Sequence, residues 1–345
     1  MVLTVLAAIF VFGLLVLVHE LGHFITAKLT DMRVDEFAIG FGPRILSYKY
    51  GETVYSIRSI PLGGFNDIAG MDPDANDAGE RGYCAKSVGS RMFVILAGSV
   101  MNFILPLFLF FGIFFFSGVS TPSTEPVLGT VLEHKAAAEA GLQQGDRILR
   151  IDGAPIDSWK SFVDKIQTGD GKVFKVEFER GGEEMATTVI PAYDSSAKRA
   201  MVGVMSSVDT EMPGFVRSVT LAAQKTGYIL YRMLEGIVQI FTGQSAADLA
   251  GPLGVAQMAG EVAQIGFVPL LNFAALLSLN LGLINLFPIP ALDGGHFMML
   301  VFEAVRGKPL SPKALRYAQT VGFALLLGLM VFATKNDIMR LFMGS

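Results

Sequence analysis

The chain has 345 residues, 52% of them hydrophobic and 17% charged, with a formal net charge of −4 and a mean hydropathy of +0.50. So apolar a composition excludes an ordinary soluble domain and points to an integral membrane protein in contact with the lipid bilayer. The small negative charge, with no basic block, excludes a nucleic-acid partner, and the single cysteine, Cys84, excludes both an internal disulfide and a thiolate zinc cluster.

Residues 2–27 form the first predicted span. They lack a basic leader and a small-residue cleavage site, so the run is expected to be retained. Near its end stands VHELGHFITAK, Val18 to Lys28. In a helix His19 and His23 project from one face, about 6 Å apart along the axis, where they can grip one metal ion. Glu20 lies one residue round, placed to activate a water without being a ligand, as in zinc metalloproteases. Ionisable groups inside a membrane helix cost roughly 2.5–3.5 kcal/mol each even on a lenient scale, and a bound cation compensates that cost.

Residues 28–91 carry eight Lys or Arg and are expected on the cytoplasmic side. Within them EFAIGFGPRILSYKYGETVYSIRSI, residues 36–60, alternates after Lys49 and predicts a β-hairpin. The second span is predicted at 92–118, where Asn102 reads as interhelical glue or a cavity residue. A polar insert follows, from about 122 to 210, in which KVFKVEFERGG predicts a strand closed by a Gly-Gly turn.

Phe215 to Phe241 is apolar over much of its length yet carries Arg217, Lys225, Arg232 and Glu235. At about 100° per residue those four fall within roughly 80° of one another, which predicts an interfacial amphipathic helix. The third span is predicted at 267–289 and the fourth at 318–334. Between them Arg306, Lys308, Lys313 and Arg316 again mark the cytoplasmic side. The expected division is a membrane core at 1–121, a folded insert at 122–195, an interfacial helix with linker at 196–266, and a second membrane core at 267–345.

A catalytic zinc takes three protein ligands and keeps one open position. The third ligand is sought in NLFPIPALDGGH, Asn285 to His296, where a Pro-x-Pro break stops the third span and Asp293 follows. A broken helix at membrane depth is tolerated where it lines a protein cavity. Asp293 ranks first because a carboxylate offsets zinc charge in low dielectric, with His296 as the alternative. The two ends meet at one depth only if 215–241 does not cross the membrane, which favours four spans over five.

At these residues the chain resembles the site-2 protease family of intramembrane zinc metalloproteases, in its bacterial RseP type. HELGH at 19–23, GFGP at 40–43, PLGGF at 61–65, GPLGVA at 251–256 and NLFPIPALDGG at 285–295 carry the likeness. The resemblance implies Zn2+ as cofactor, His19, His23 and Asp293 as its ligands, and Glu20 as catalytic base. It further implies a hairpin dipping into the membrane after the first span.

AAAEAGLQQGDRILRIDG, residues 136–153, likewise resembles a PDZ domain, single here where better-known members carry two in tandem. The loop HKAAAEAGL lacks a proline found in many relatives, so peptide-carboxylate binding and a plain steric plug both stay open. The fold expected is an α-helical polytopic membrane protein with four transmembrane helices, a membrane-associated β-hairpin and an inserted extracytoplasmic α+β PDZ domain.

The implied function is hydrolysis of peptide bonds in or near the membrane segments of single-span proteins, such as anti-sigma factors and remnant signal peptides. The setting implied is the bacterial cytoplasmic membrane, with the active site near its cytoplasmic face. The hairpin edge is expected to hold an unwound substrate by strand addition. Asn285 would offer its amide to the substrate backbone, and Pro288 and Pro290 would keep that segment extended. The alternative is a non-catalytic, zinc-bearing membrane scaffold built around the PDZ domain.

Overall fold

Four helices of the computed structural model are long and apolar enough to cross a membrane: Val2–Leu29, Val88–Ser117, Phe267–Asn285 and Pro312–Met339. They overlie the four runs expected from sequence. The structure describes residues 1–71, 79–194, 198–244 and 251–343. It divides into two units, Met1–Ser117 with Gly214–Ser345, and Gly118–Pro213.

The first helix, α1 (Val2–Leu29), turns Ala7, Val11, Leu15, Gly22 and Thr26 inward. Those steps of four and seven residues keep one face toward the protein, while Leu3, Leu6 and Phe10 near the start of the helix are apolar and exposed. The strands β1 (Val34–Tyr50) and β2 (Thr53–Ile68) follow. They are more folded than the hairpin expected over 36–60. Residues 36–39 pair on one side with 54–57 and on the other with 64–67, while 46–50 pair with 53–57. Both strands must bend to achieve this. Gly40, Gly42 and Gly63 lie in the bends with φ of 87°, 84° and 91°, a backbone open to glycine.

Among the described residues segment 64–67 is thereby an edge of this small sheet, and it lies against α1, where a Cβ on Gly64 would stand 3.0 Å from Glu20 Cγ. The rings of Phe24, Phe37 and Tyr55 fasten the sheet's base to α1. From Phe41 to Tyr50 every residue of β1 is exposed. Within the sheet, burial alone would raise the Glu36 carboxyl. Donation from Arg44, Ser56 and Arg58 instead holds it at about 2.

Helix α2 (Val88–Ser117) contains Pro106. A proline has no N–H, so the Asn102 carbonyl one turn earlier loses its intrahelical donor. Ser278 Oγ of a later span supplies one at 2.8 Å. Such replacement is what a proline inside a membrane helix requires.

The second unit takes β3 (Val119–Pro122), β4 (Leu128–Val131), α3 (Ala136–Glu139), β5 (Arg147–Ile151), β6 (Ala154–Pro155), α4 (Trp159–Gln167), β7 (Phe174–Arg180), β8 (Glu183–Val189), β9 (Ala192–Asp194), β10 (Arg199–Met201), β11 (Val204–Ser206) and β12 (Val208–Glu211). Its main sheet runs β6-β5-β7-β8. The Gly-Gly turn lies between β7 and β8, with both glycines at positive φ. A capping box at Ser158 opens α4, which buries Phe162 and Ile166 in a core with Leu128, Ile148, Ile151 and Val176. The unit runs beyond the boundary expected at 195. β11 returns to pair with β4 and β12 with β3, so 199–211 belong to the insert and not to a linker.

Helix α5 (Phe215–Phe241) meets α2 through Phe215 on Phe111 and Phe115, and through Lys225 Nζ 4.4 Å from the Phe110 ring. Ala222 and Ile229 join a cluster with Phe110, Ile113, Val268, Leu271 and Ala275. Phe215 and Lys225, ten residues and roughly 15 Å apart along α5, thus both meet 110–115 of α2, roughly 8 Å of its axis. The helix runs across that end of the bundle. The expected single polar stripe is split. Arg217 and Arg232 are exposed, whereas Lys225 turns inward to donate to Asn272 Oδ1 at 2.6 Å.

Part of the stretch assigned to linker is also helical, as α6 (Pro252–Ile265). The next helix, α7 (Phe267–Asn285), ends ahead of Pro288 and not at 289. Asp293 does not close that span; it opens a separate helix, α8 (Asp293–Arg306), which ends at Gly307 in the left-handed region. The chain finishes in α9 (Pro312–Met343), longer than the expected 318–334. Asp337 of α9 accepts from Gly251 N at 3.0 Å and Gly254 N at 2.8 Å, closing the open N-terminus of α6.

Candidate metal centre

Two approaches without side chains in the way build the site. A Cβ on Gly22 of α1 would stand 2.4 Å from the Ala97 carbonyl, and a Cβ on Gly98 of α2 would stand 2.3 Å from His23 Nε2. The bare backbone at these positions lets α1 and α2 close together and leaves room for both imidazoles. On the other side, a Cβ on Gly294 or Gly295 would lie within 2.3 Å of the Leu286 or Ile289 carbonyl. The two glycines after Asp293 therefore let α8 start hard against the 286–290 segment. Ala291, with φ of 104°, bears the strain of that turn.

The result brings His19, His23 and Asp293 into one cluster whose donor atoms lie within 4.8 Å of one another. His19 Nε2 is 3.2 Å from His23 Nε2, and Asp293 Oδ2 is 3.4 Å from the first and 3.6 Å from the second. A tetrahedral zinc with arms of about 2.0–2.2 Å has edges of about 3.3–3.6 Å. The three donors thus already stand at the corners of one face of such a site.

Their partners suit the same role. His23 Nδ1 donates to the Val94 carbonyl at 2.8 Å, which fixes the tautomer and leaves the Nε2 lone pair for an ion. His19 Nδ1 lies 3.1 Å from the Asn102 amide nitrogen, while that amide's oxygen is buried without a partner. Nitrogen and oxygen of an amide are assigned from the hydrogen-bond network. With the amide turned over, Oδ1 accepts from Nδ1–H and the His19 Nε2 lone pair is also free. Ser99 Oγ donates to Asp293 Oδ2 at 3.2 Å.

Glu20 is half-buried beside the cluster. Its carboxylate Oε2 accepts from Asn66 Nδ2 at 2.7 Å, and its backbone carbonyl accepts from the same amide at 2.8 Å. His296 is not among the three donors. Its Nε2 is 2.9 Å from the Gln319 amide, and it lines a cavity of about 280 Å³ with Tyr83, Arg91 and Glu303. Asn285 is buried as the last residue of α7, Pro288 is exposed and Pro290 half-buried, outside the cluster of donors.

The family model described as Peptidase family M50 matches residues 7–329. The chain belongs to this family. Among M50 relatives it is 33% identical to the regulator of sigma-W protease RasP of Bacillus subtilis, over 99% of each chain. It is 34% identical to the zinc metalloprotease RasP of Bacillus licheniformis, over 99% of this chain and 100% of that one. Among solved structures, the PDZ domain of an SdrC-like protein from Listeria innocua aligns with 24% of this chain and 93% of its own, at 27% identity and a TM-score of 0.22.

Sequence reasoning singled out the three donors and Glu20 because HExxH and the Pro-x-Pro break are local signals. It passed over Gly98, Ser99 and Asn66, and weighed Asn102 mainly as packing glue. Nothing local marks these residues; each matters only because of what the fold sets opposite it.

Proposed function

We propose that this chain, a zinc metalloprotease of family M50, hydrolyses peptide bonds of single-span membrane proteins at membrane depth, with His19, His23 and Asp293 holding the zinc and Glu20 as the base. One observation carries the reading. Three donors from α1 and α8, far apart in sequence, stand at tetrahedral spacing beside a carboxylate that is not one of them. A structural zinc would be closed by a fourth protein ligand, and among the described residues no fourth His, Cys, Asp or Glu joins the cluster, which argues for an open catalytic position and against the scaffold alternative.

When bound, zinc supplies a Lewis acid that polarises the scissile carbonyl and acidifies a water. Glu20 takes a proton from the attacking water as its oxygen adds to the carbonyl carbon. The same carboxylate returns that proton to the amide nitrogen as the C–N bond breaks, so one water and one peptide bond give a carboxylic acid and an amine, which end as carboxylate and ammonium. A helical substrate must first unwind, since its carbonyls are held in its own hydrogen bonds. Segment 64–67, an edge lying along α1 at Glu20, offers backbone groups to a strand added there. The extended segment expected at Pro288 and Pro290 is instead a turn that follows the end of α7, and from that end Asn285 would offer its amide to the far side of the same strand.

The setting proposed is the bacterial cytoplasmic membrane, crossed four times, with the metal centre near the cytoplasmic face. The course of α5 across one end of the bundle supports four crossings, which set Asp293 and the histidines at one depth. The insert is read as an extracytoplasmic PDZ domain that screens substrates by size or by their tails. A relative named for sigma-W regulation supports anti-sigma factors as one substrate class, with remnant signal peptides as another.

The test is cleavage of a single-span substrate in proteoliposomes by wild type and Glu20→Gln. The variant is expected to keep its zinc and to lose turnover by about 100- to 10,000-fold. Retained turnover in the variant removes Glu20 from the chemistry.

A further inference from the structure

Asn66 belongs to none of the motifs, yet it spends its whole donor capacity on the catalytic base. One N–H of its amide reaches Glu20 Oε2 at 2.7 Å and the other reaches the Glu20 backbone carbonyl at 2.8 Å. Both targets are acceptors, so the amide has only one workable orientation, with nitrogen toward Glu20. The oxygen is left buried with no partner. A group that gives up its own acceptor bond in order to place two donors on one residue is acting on that residue.

The placement of Asn66 adds to this. It stands in segment 64–67, the sheet edge nearest Glu20, two residues after Gly64, whose missing Cβ lets the strand lie against the Glu20 stem. The same short segment thus packs on the side chain of the base, holds one of its oxygens, and presents the edge to which a substrate strand would add.

We propose that Asn66 is a positioning residue for Glu20: by occupying Oε2 and the backbone carbonyl it fixes the carboxylate's rotamer and leaves Oε1 to take and return the proton. This rests on the proteolytic reading above and adds that the edge strand and the base are set as one unit. A substrate strand seated on 64–67 then meets a base already aimed, because the residue that aims it is part of the strand's docking edge.

The experiment uses the full chain in proteoliposomes at neutral pH, with three variants and two substrates, a single-span protein and a short peptide that needs no strand docking. Asn66→Leu removes the donors. It is expected to lower kcat by about 10- to 100-fold with KM within twofold and zinc content unchanged, the range seen when a partner of a catalytic group is lost. Asn66→Asp keeps the shape and sets a like charge against the carboxylate, so it is expected to lose at least as much. Both substrates are expected to lose the same factor, since the defect lies in the base.

A residue that only shaped the strand would behave otherwise. Asn66→Asp, being isosteric, would then turn over near the wild-type rate, or KM for the membrane substrate alone would rise; either result overturns the proposal. Glu20→Gln is the third variant. If it keeps turnover, the base assignment fails and this inference with it. If it is inactive while Asn66→Asp is normal, only the role of Asn66 is lost.

Discussion

Two aspartates of the membrane unit, Asp293 and Asp337, have surroundings that differ in kind. Asp337, 3% exposed, has its two oxygens taken by the backbone N–H groups of Gly251 and Gly254. Asp293 opens α8, accepts one hydroxyl from Ser99, and turns Oδ2 toward two imidazole nitrogens at 3.4 and 3.6 Å. Both are flanked by glycines that let something approach closely. At Asp337 the glycines admit the carboxylate itself, where a Cβ would stand 2.5 or 2.7 Å from its oxygens. At Asp293 they admit the backbone of the preceding segment and leave the carboxylate facing the histidines. A carboxylate closed by amide donors locks helices; one aimed at two ring nitrogens calls for a proton or a cation between them.

The contrast breaks most sharply under substitution. Asp293→Ala removes one of three metal donors and is expected to cut zinc content well below one per chain and to abolish cleavage, while leaving the α6 cap intact. Asp337→Ala orphans two N–H groups at about 1–3 kcal/mol each. It is expected to lower the melting temperature while zinc stays stoichiometric. Metal analysis and thermal unfolding on both variants test the pair; full zinc in Asp293→Ala would hand the third ligand to another group.

Asn102→Leu probes the same centre one step out. Without an amide at 3.1 Å from Nδ1, His19 loses the partner that fixes its ring. Affinity measured against a competing chelator is expected to fall by about 10- to 100-fold. An unchanged zinc affinity would return Asn102 to packing, where Ser278 already uses its backbone carbonyl.

The sequence carried the aspects of this centre that depend on short-range spacing. HExxH fixes a face of one helix, and Pro288 and Pro290 mark a chain break whatever surrounds them. Hydropathy located the four long helices because nothing else keeps so long an apolar run. The folded sheet of β1 and β2 was not legible. Alternation predicts a hairpin, but the double pairing of 36–39 follows from bends at three glycines whose direction no local pattern states. The insert's end was missed for a related reason: β11 and β12 are short, and their partners β4 and β3 lie some 80 residues earlier, roughly the length of a small domain. Asn66 and Ser99 are ordinary polar residues until the fold sets Glu20 and Asp293 opposite them.

A third carboxylate, at the surface, sets the lower end of the comparison. Glu52 accepts from Arg81 at 2.7 and 2.9 Å and from Lys28 at 2.6 Å, and these donors hold it at about 2. A carboxyl depressed in the folded state contributes stability above its unfolded value. That contribution is lost as pH falls from about 4.5 toward 2. Because Glu52 is a third exposed, solvent screens the pair, and the whole contribution is expected to stay below about 1 kcal/mol. Glu52→Gln is therefore expected to leave zinc and cleavage unchanged and to flatten the acid limb of the unfolding curve only slightly. A loss of metal or activity in that variant would mean that the ties from Glu52 to Lys28 and Arg81 hold the end of α1 in place for His19 and His23, and that the gradation from buried to exposed carboxylates does not describe this protein.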